Sequence, residues 1–138
     1  MSTGGATYGH NIGVWFEPRT QRWAIFNQDR AAVPAGSIFE VFIPQRSERF
    51  VHRSEPANTG ADSTYLDDPI TRGDPEILLT VTQNWNPGGG GGIYNDHPIG
   101  VRYDEGVGKW IIYNRDGAPM PTRAAFNVAV SDGGESAG

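Results

Sequence analysis

The chain has 138 residues, a length that suits one domain with its own core and no need of disulfides or a structural metal. Nineteen Gly and ten Pro argue against a helical bundle, and the absence of cysteine excludes disulfides, thiolate zinc sites and cysteine nucleophiles. Net charge is −5 and the basic side chains, all Arg except Lys109, are scattered, so the electrostatic footprint of a nucleic-acid binder is missing.

The opening MSTGGATYGH has no charged region followed by an apolar one, so it does not read as a signal peptide, and no apolar run has the length of a membrane span. IGVWF then predicts a strand, EPRTQ a polar turn, and RWAIFN a second strand rich in aromatic and β-branched residues. NQDR predicts a turn, and SIFEVFI a third strand after Pro34. FVHR over 50–53 and TYLDDP are short strand candidates separated by the turn-rich SEPANTGADS. EILLTVTQNW over 76–85 is the strongest strand signal, with Ile77, Leu79 and Val81 on one face. NPGGGGG predicts a mobile loop, since no packed element uses five successive glycines. IGVRY, KWIIYN and AAFNVAV follow as three further strands, and 131–138 is expected to be a disordered tail.

Residues 10–43 and 97–130 match without a gap at an offset of 87. Identities include His10/His97, Gly13/Gly100, Trp23/Trp110, Asn27/Asn114, Asp29/Asp116, Pro34/Pro121, Phe39/Phe126 and Val41/Val128, too many for chance. The expected organisation is one all-β domain over 1–138, with half-units at 10–43 and 97–130 around a unique insert at 45–96. Eight or nine short strands fit a β-sandwich or barrel with an internal pseudo-two-fold repeat, which would bury Trp23 and Trp110 in equivalent places.

The string FVHRSEPANTGADSTYLDDP…VTQNWNP…HPIGVRYD…KWIIYNRDG…AAFNVAV resembles a bacterial repeat domain family of unknown function. The resemblance covers one whole unit, 50–130, while 7–43 resembles the second half of a preceding unit. It implies an extracellular or surface-associated protein engaged in recognition rather than catalysis. The sequence departs from that pattern at Arg102, where the family has Trp; Trp15 keeps the Trp in the first copy.

His10 and His97 hold equivalent positions and His52 lies in the insert, but no HxH or HxxxH spacing points to a metal. They read as hydrogen-bonding residues in turns. No GxSxG elbow or phosphate-binding loop occurs. Asp67, Asp68 and Asp74, like Asp29 and Asp116, suit turns; calcium is conceivable there but not favoured, and no cofactor is expected. The aromatics are more suggestive. Trp or Tyr beside Asn and Asp is the chemistry of sugar recognition, because the ring packs on an apolar sugar face while amides and carboxylates bond hydroxyls. Trp23 and Trp110, inside strands, read as core. The candidate ligand-binding set is Trp15, Asn84, Trp85, Asn86, Tyr94, Asp96 and Arg102, with no catalytic residue assigned. The leading expectation is a non-enzymatic, lectin-like module for a carbohydrate or cell-surface ligand. A self-assembling structural module forming homo-oligomers is the first alternative, and a hydrolase the second.

Overall fold

The structure is a computed structural model that describes residues 9–41, 45, 48–71, 74–85, 87 and 92–132. Among the described residues nine strands form two sheets. The first sheet holds β1 (Ile12–Glu17), β2 (Arg22–Asn27), β3 (Arg49–Arg53), β6 (Ile77–Asn84) and β9 (Ala125–Asp132) in the order β2-β1-β6-β9-β3. The second holds β4 (Thr59–Gly60), β5 (Ser63–Tyr65), β7 (Ile99–Asp104) and β8 (Lys109–Asn114) in the order β4-β5-β8-β7. The fold is a β-sandwich. Its core joins the sheets through Ile112 of β8 and Phe126 and Val128 of β9, with Leu66, Met120 and Ala124 from the connections. Leu79 and Val81 of β6 pack against this cluster from the face their alternation predicts.

The repeat is built into the hairpins. β1 pairs with β2 from Ile12↔Asn27 to Glu17↔Arg22, and β7 with β8 from Ile99↔Asn114 to Asp104↔Lys109, the same register shifted by the repeat offset. Gly13 and Gly100 leave room for an aromatic ring across each hairpin: an added Cβ would stand 2.5 Å from Phe26 Cζ in one and 2.9 Å from Tyr113 Cζ in the other. The ring pairs Phe16–Trp23 and Tyr103–Trp110 are edge-on at 5.5 and 5.6 Å. Asn27 Nδ2 donates to the Ala31 carbonyl at 2.9 Å, and Asn114 Nδ2 to the Ala118 carbonyl at 3.1 Å, so one buried amide per copy closes the following turn.

Each hairpin loop ends on a left-handed residue, Gln21 at φ 57° in the first and Gly108 at φ 72° in the second. That conformation crowds a Cβ but not a glycine. Gly108→Ala is therefore expected to lower stability by about 1 kcal/mol, and Gln21→Gly to raise it by roughly a few tenths, as urea midpoints at constant m would report.

Three expectations are corrected. The third strand of the first copy does not form over residues 37–41; its last two residues, 42 and 43, lie outside the described set. The equivalent β9 is held between β6 and β3, and those two strands are already taken by β9. Residues 37–41 therefore do not pair with either of those strands. The two hairpins also lie in different sheets, so Trp23 and Trp110 are not equivalently buried: Trp23 is 59% exposed, while Trp110 packs on the core and donates from Nε1 to the Asp74 carbonyl at 2.8 Å. Finally, Ser131 and Asp132 are not tail. They extend β9 opposite Leu78 and Ile77, and the rest of the expected tail, 133–138, lies outside the described residues, as do glycines 88–91 of the glycine loop.

Candidate functional site

The hairpin β1–β2 sits at one end of the five-stranded sheet, joined to β6 by the parallel pair Gly13↔Gln83. A buried amide chain fixes this junction. Gln28 Nε2 donates to Gln83 Oε1 at 2.9 Å, Gln83 Nε2 donates to the His97 carbonyl at 3.0 Å, and the Asn95 N–H reaches Gln28 Oε1 at 3.3 Å. The chain ties the first half-unit, β6 and the 93–96 segment into one body, and it holds the aromatics of each side at fixed distances.

Those aromatics converge. Trp15 of β1 meets Trp85, the residue after β6, edge-on at 5.2 Å, and Trp85 lies tilted by 31° against Tyr94 at 5.7 Å. Phe26, placed by the absence of a side chain at Gly13, meets Tyr94 edge-on at 5.9 Å. The Arg30 guanidinium stands 5.6 Å from the Tyr94 ring centroid, in cation–π range. Together these residues, with Asn27 and Val33, line an open groove of about 510 Å³, within the size range of small-ligand sites. Tyr94 remains 40% exposed. Trp85 Nε1 is buried and has no hydrogen-bond partner among the described residues, and the same holds for Asn84 Oδ1.

Of the residues singled out from the sequence, Trp15, Trp85 and Tyr94 meet in this groove. Asn84 does not line it: its amide donates to Asn127 Oδ1 at 2.7 Å, beneath the sheet junction. Asp96 accepts from Asn11 Nδ2 at 3.2 Å and is likewise not in the lining. Arg102 lies on β7 in the other sheet, its guanidinium 5.6 Å from the Tyr113 ring, and contributes nothing to the groove. Asn86 lies outside the described residues. Arg30 and Phe26 are contributors that sequence reasoning left out. The signal for Arg30 was its replacement by Gly117 in the second copy, beside the Trp15/Arg102 divergence.

The histidine pairs have a different character. His10 Nδ1 meets Asp29 Oδ2 at 2.6 Å, and His97 Nδ1 meets Asp116 Oδ2 at 2.8 Å. Each Asp also accepts a backbone N–H, from Ala31 at 2.9 Å and Ala118 at 3.0 Å. Those backbone donors first, and the His partners second, hold both carboxyls below the usual carboxylate range. Each pair thus staples the start of a hairpin to the turn after it, and its presence in both copies fits a role in the fold. Asp67 pairs with Lys109 at 2.6 Å, while Asp68 and Asp74 accept the backbone N–H groups of Ile70 and Glu76 in turns. Among the described residues no group of three or more His, Asp or Glu converges to hold a metal, and no helix is long and apolar enough to cross a membrane.

A family model described as a domain of unknown function (DUF7452) matches residues 13–130. No curated protein and no solved structure matches the chain.

Proposed function

The chain thus belongs to this family of unknown function, DUF7452, and from the site it carries we propose that it is a binding module that takes a carbohydrate in the Trp15–Trp85–Tyr94 groove. The observation that carries this reading is the aromatic cluster itself: three large rings from three separate segments, held by a buried amide chain, in an open groove rather than in the core. Trp15 meets Trp85 edge-on and so steadies it, leaving Trp85 and Tyr94 as the stacking pair for an apolar sugar face. Arg30, beside Tyr94, adds a fixed cation at the rim, which favours sugars carrying a carboxylate or sulfate.

Glycan-array binding followed by calorimetry tests the reading. Wild type is expected to retain a restricted set of glycans. Trp85→Ala and Tyr94→Ala are each expected to weaken binding at least about tenfold, or ~1.4 kcal/mol, measured where urea unfolding shows each variant fully folded. Arg102→Ala, on the other sheet, is expected to bind as wild type. A wild-type protein that binds no glycan would remove the proposal.

A further inference from the structure

The two half-units share sequence and hairpin register, yet several apolar positions that are exposed in the first copy are covered in the second. Ile38 is 91% exposed and its repeat equivalent Ala125 is 3% exposed; Val41 is 70% exposed and Val128 1%; Val33 is 43% exposed and Met120 5%. Trp23 and Phe16 follow the same rule, at 59% and 41% exposed, while Trp110 packs on the core and Tyr103 is half-buried. Scattered exposed apolar residues are ordinary, but here Val33, Ile38 and Val41 each have a buried counterpart fixed by the repeat, and Phe16 and Trp23 have counterparts of intermediate burial. The first half-unit therefore displays the surface that becomes a core in the second.

What covers that surface in the second half-unit is on the same chain. Residues 48–85 bring β5 alongside β8, through Ser63↔Tyr113, Thr64↔Ile112 and Tyr65↔Ile111, and bring β3 and β6 to either side of β9. The Leu66 N–H continues the β5 pairing to the Trp110 carbonyl at 2.9 Å, and the Leu66 side chain enters the core. The repeat offset maps the β8 edge onto Ala24, Ile25 and Phe26 of β2, which is the outermost strand of its sheet. An outermost strand with free backbone groups and an apolar face beside it is a template for strand addition.

We infer that the face of the first half-unit formed by Trp23, Ile25, Val33, Ile38 and Val41 is a docking surface for the insert half of another repeat unit, a polypeptide with the pattern of residues 45–96. A β5-type strand adds to β2, and β3- and β6-type strands grip residues 37–41 as the third strand that they do not form alone. The reasoning is continuity with an interface the chain already makes: the same surface, in the same register, closed by that segment in the second copy. The inference is independent of the carbohydrate reading, although Ile25 and Val33 also border the groove, so occupancy would reshape one of its walls.

The test is the full chain carrying an added copy of residues 45–96 joined directly to His10, which reproduces the natural junction at Asp96–His97. Hydrogen exchange across Ala24–Phe26 is expected to slow at least about tenfold relative to the unextended chain, and residues 37–41 are expected to gain protection. In the extended chain, Ile38→Asp with Val41→Asp is expected to restore fast exchange, while the same changes leave the unextended chain folded, since both side chains are exposed there. Exchange that stays fast across β2 in the extended chain overturns the inference. So does protection that survives the two Asp substitutions, because the added segment would then be bound elsewhere. Concentration-dependent protection of β2 in the unextended chain, abolished by Val41→Asp, would assign the surface to a second copy of this chain instead.

Discussion

Val128→Asp is expected to leave the protein without a fixed tertiary structure at neutral pH, whereas Val41→Asp, the same change at the equivalent repeat position, is expected to shift stability by no more than about 0.5 kcal/mol. Val128 is 1% exposed in β9, opposite Val81 of β6 on one side and Phe50 of β3 on the other. A carboxylate there loses its water and gains no partner, a cost of several kcal/mol, on top of about 1.5–3 kcal/mol for the lost valine burial. That is a large part of the roughly 5–15 kcal/mol that holds a domain together. Val41 is 70% exposed and keeps most of its water when charged. Near-ultraviolet circular dichroism and urea unfolding of both variants decide the matter. Equal destabilisation would mean that residues 37–41 are packed as tightly as β9.

The contrast between these two valines also marks what could be read from the sequence. The hairpins were legible because everything that shapes them is close in the chain: the ring of Phe26 over Gly13 and of Tyr113 over Gly100, the His–Asp staples, and Asn27 and Asn114 closing the turns. Similar sequences therefore give similar hairpins. The third strand was not legible, because SIFEVFI and AAFNVAV differ less in their own character than in what stands beside them. β9 has β6 and β3, and residues 37–41 have neither. The same limit applies to the site. Trp15, Trp85 and Tyr94 could be proposed as aromatics near strand ends, yet Arg102 was grouped with them on its repeat position alone. A repeat alignment gives the register of Arg102 and not its sheet, and β7 lies in the sheet away from the groove. Arg30 and Phe26 meet Tyr94 where the amide chain of Gln28 and Gln83 holds the 93–96 segment against the first half-unit, a contact between residues far apart in the chain.

His52 sets the second large effect, an acid sensitivity that begins well above the carboxylate range. Its ring is 8% exposed, stacked on Phe126 at 6.4 Å, with Nε2 2.9 Å from Thr64 Oγ1. Thr64 donates its own hydroxyl to Asn58 Oδ1 at 3.1 Å, so it faces His52 as an acceptor and the neutral ring donates from Nε2. Burial disfavours the charged ring and pushes the pKa down from 6.5 to about 4, against a smaller upward pull from Asp67. Between those two values the unfolded chain binds a proton that the folded chain does not. Stability is therefore full above pH 6.5, falls as the pH drops through the window, and by pH 4 has lost about 3 kcal/mol relative to neutral pH. Asp29 and Asp116 have lowered carboxyl pKa values, so their contributions fade only at still lower pH and do not produce this slope. Urea midpoints between pH 7.5 and 4.5 should trace the loss. His52→Gln keeps a donor within reach of Thr64 and removes the titration, so its midpoint should be lower at pH 7.5 but nearly flat across the window. A variant that keeps the wild-type slope would place the proton uptake on another group. The expected slope follows from the fold: the ring lies between Thr64 of one sheet and Phe126 of the other, and charging it puts a cation between the layers of the sandwich.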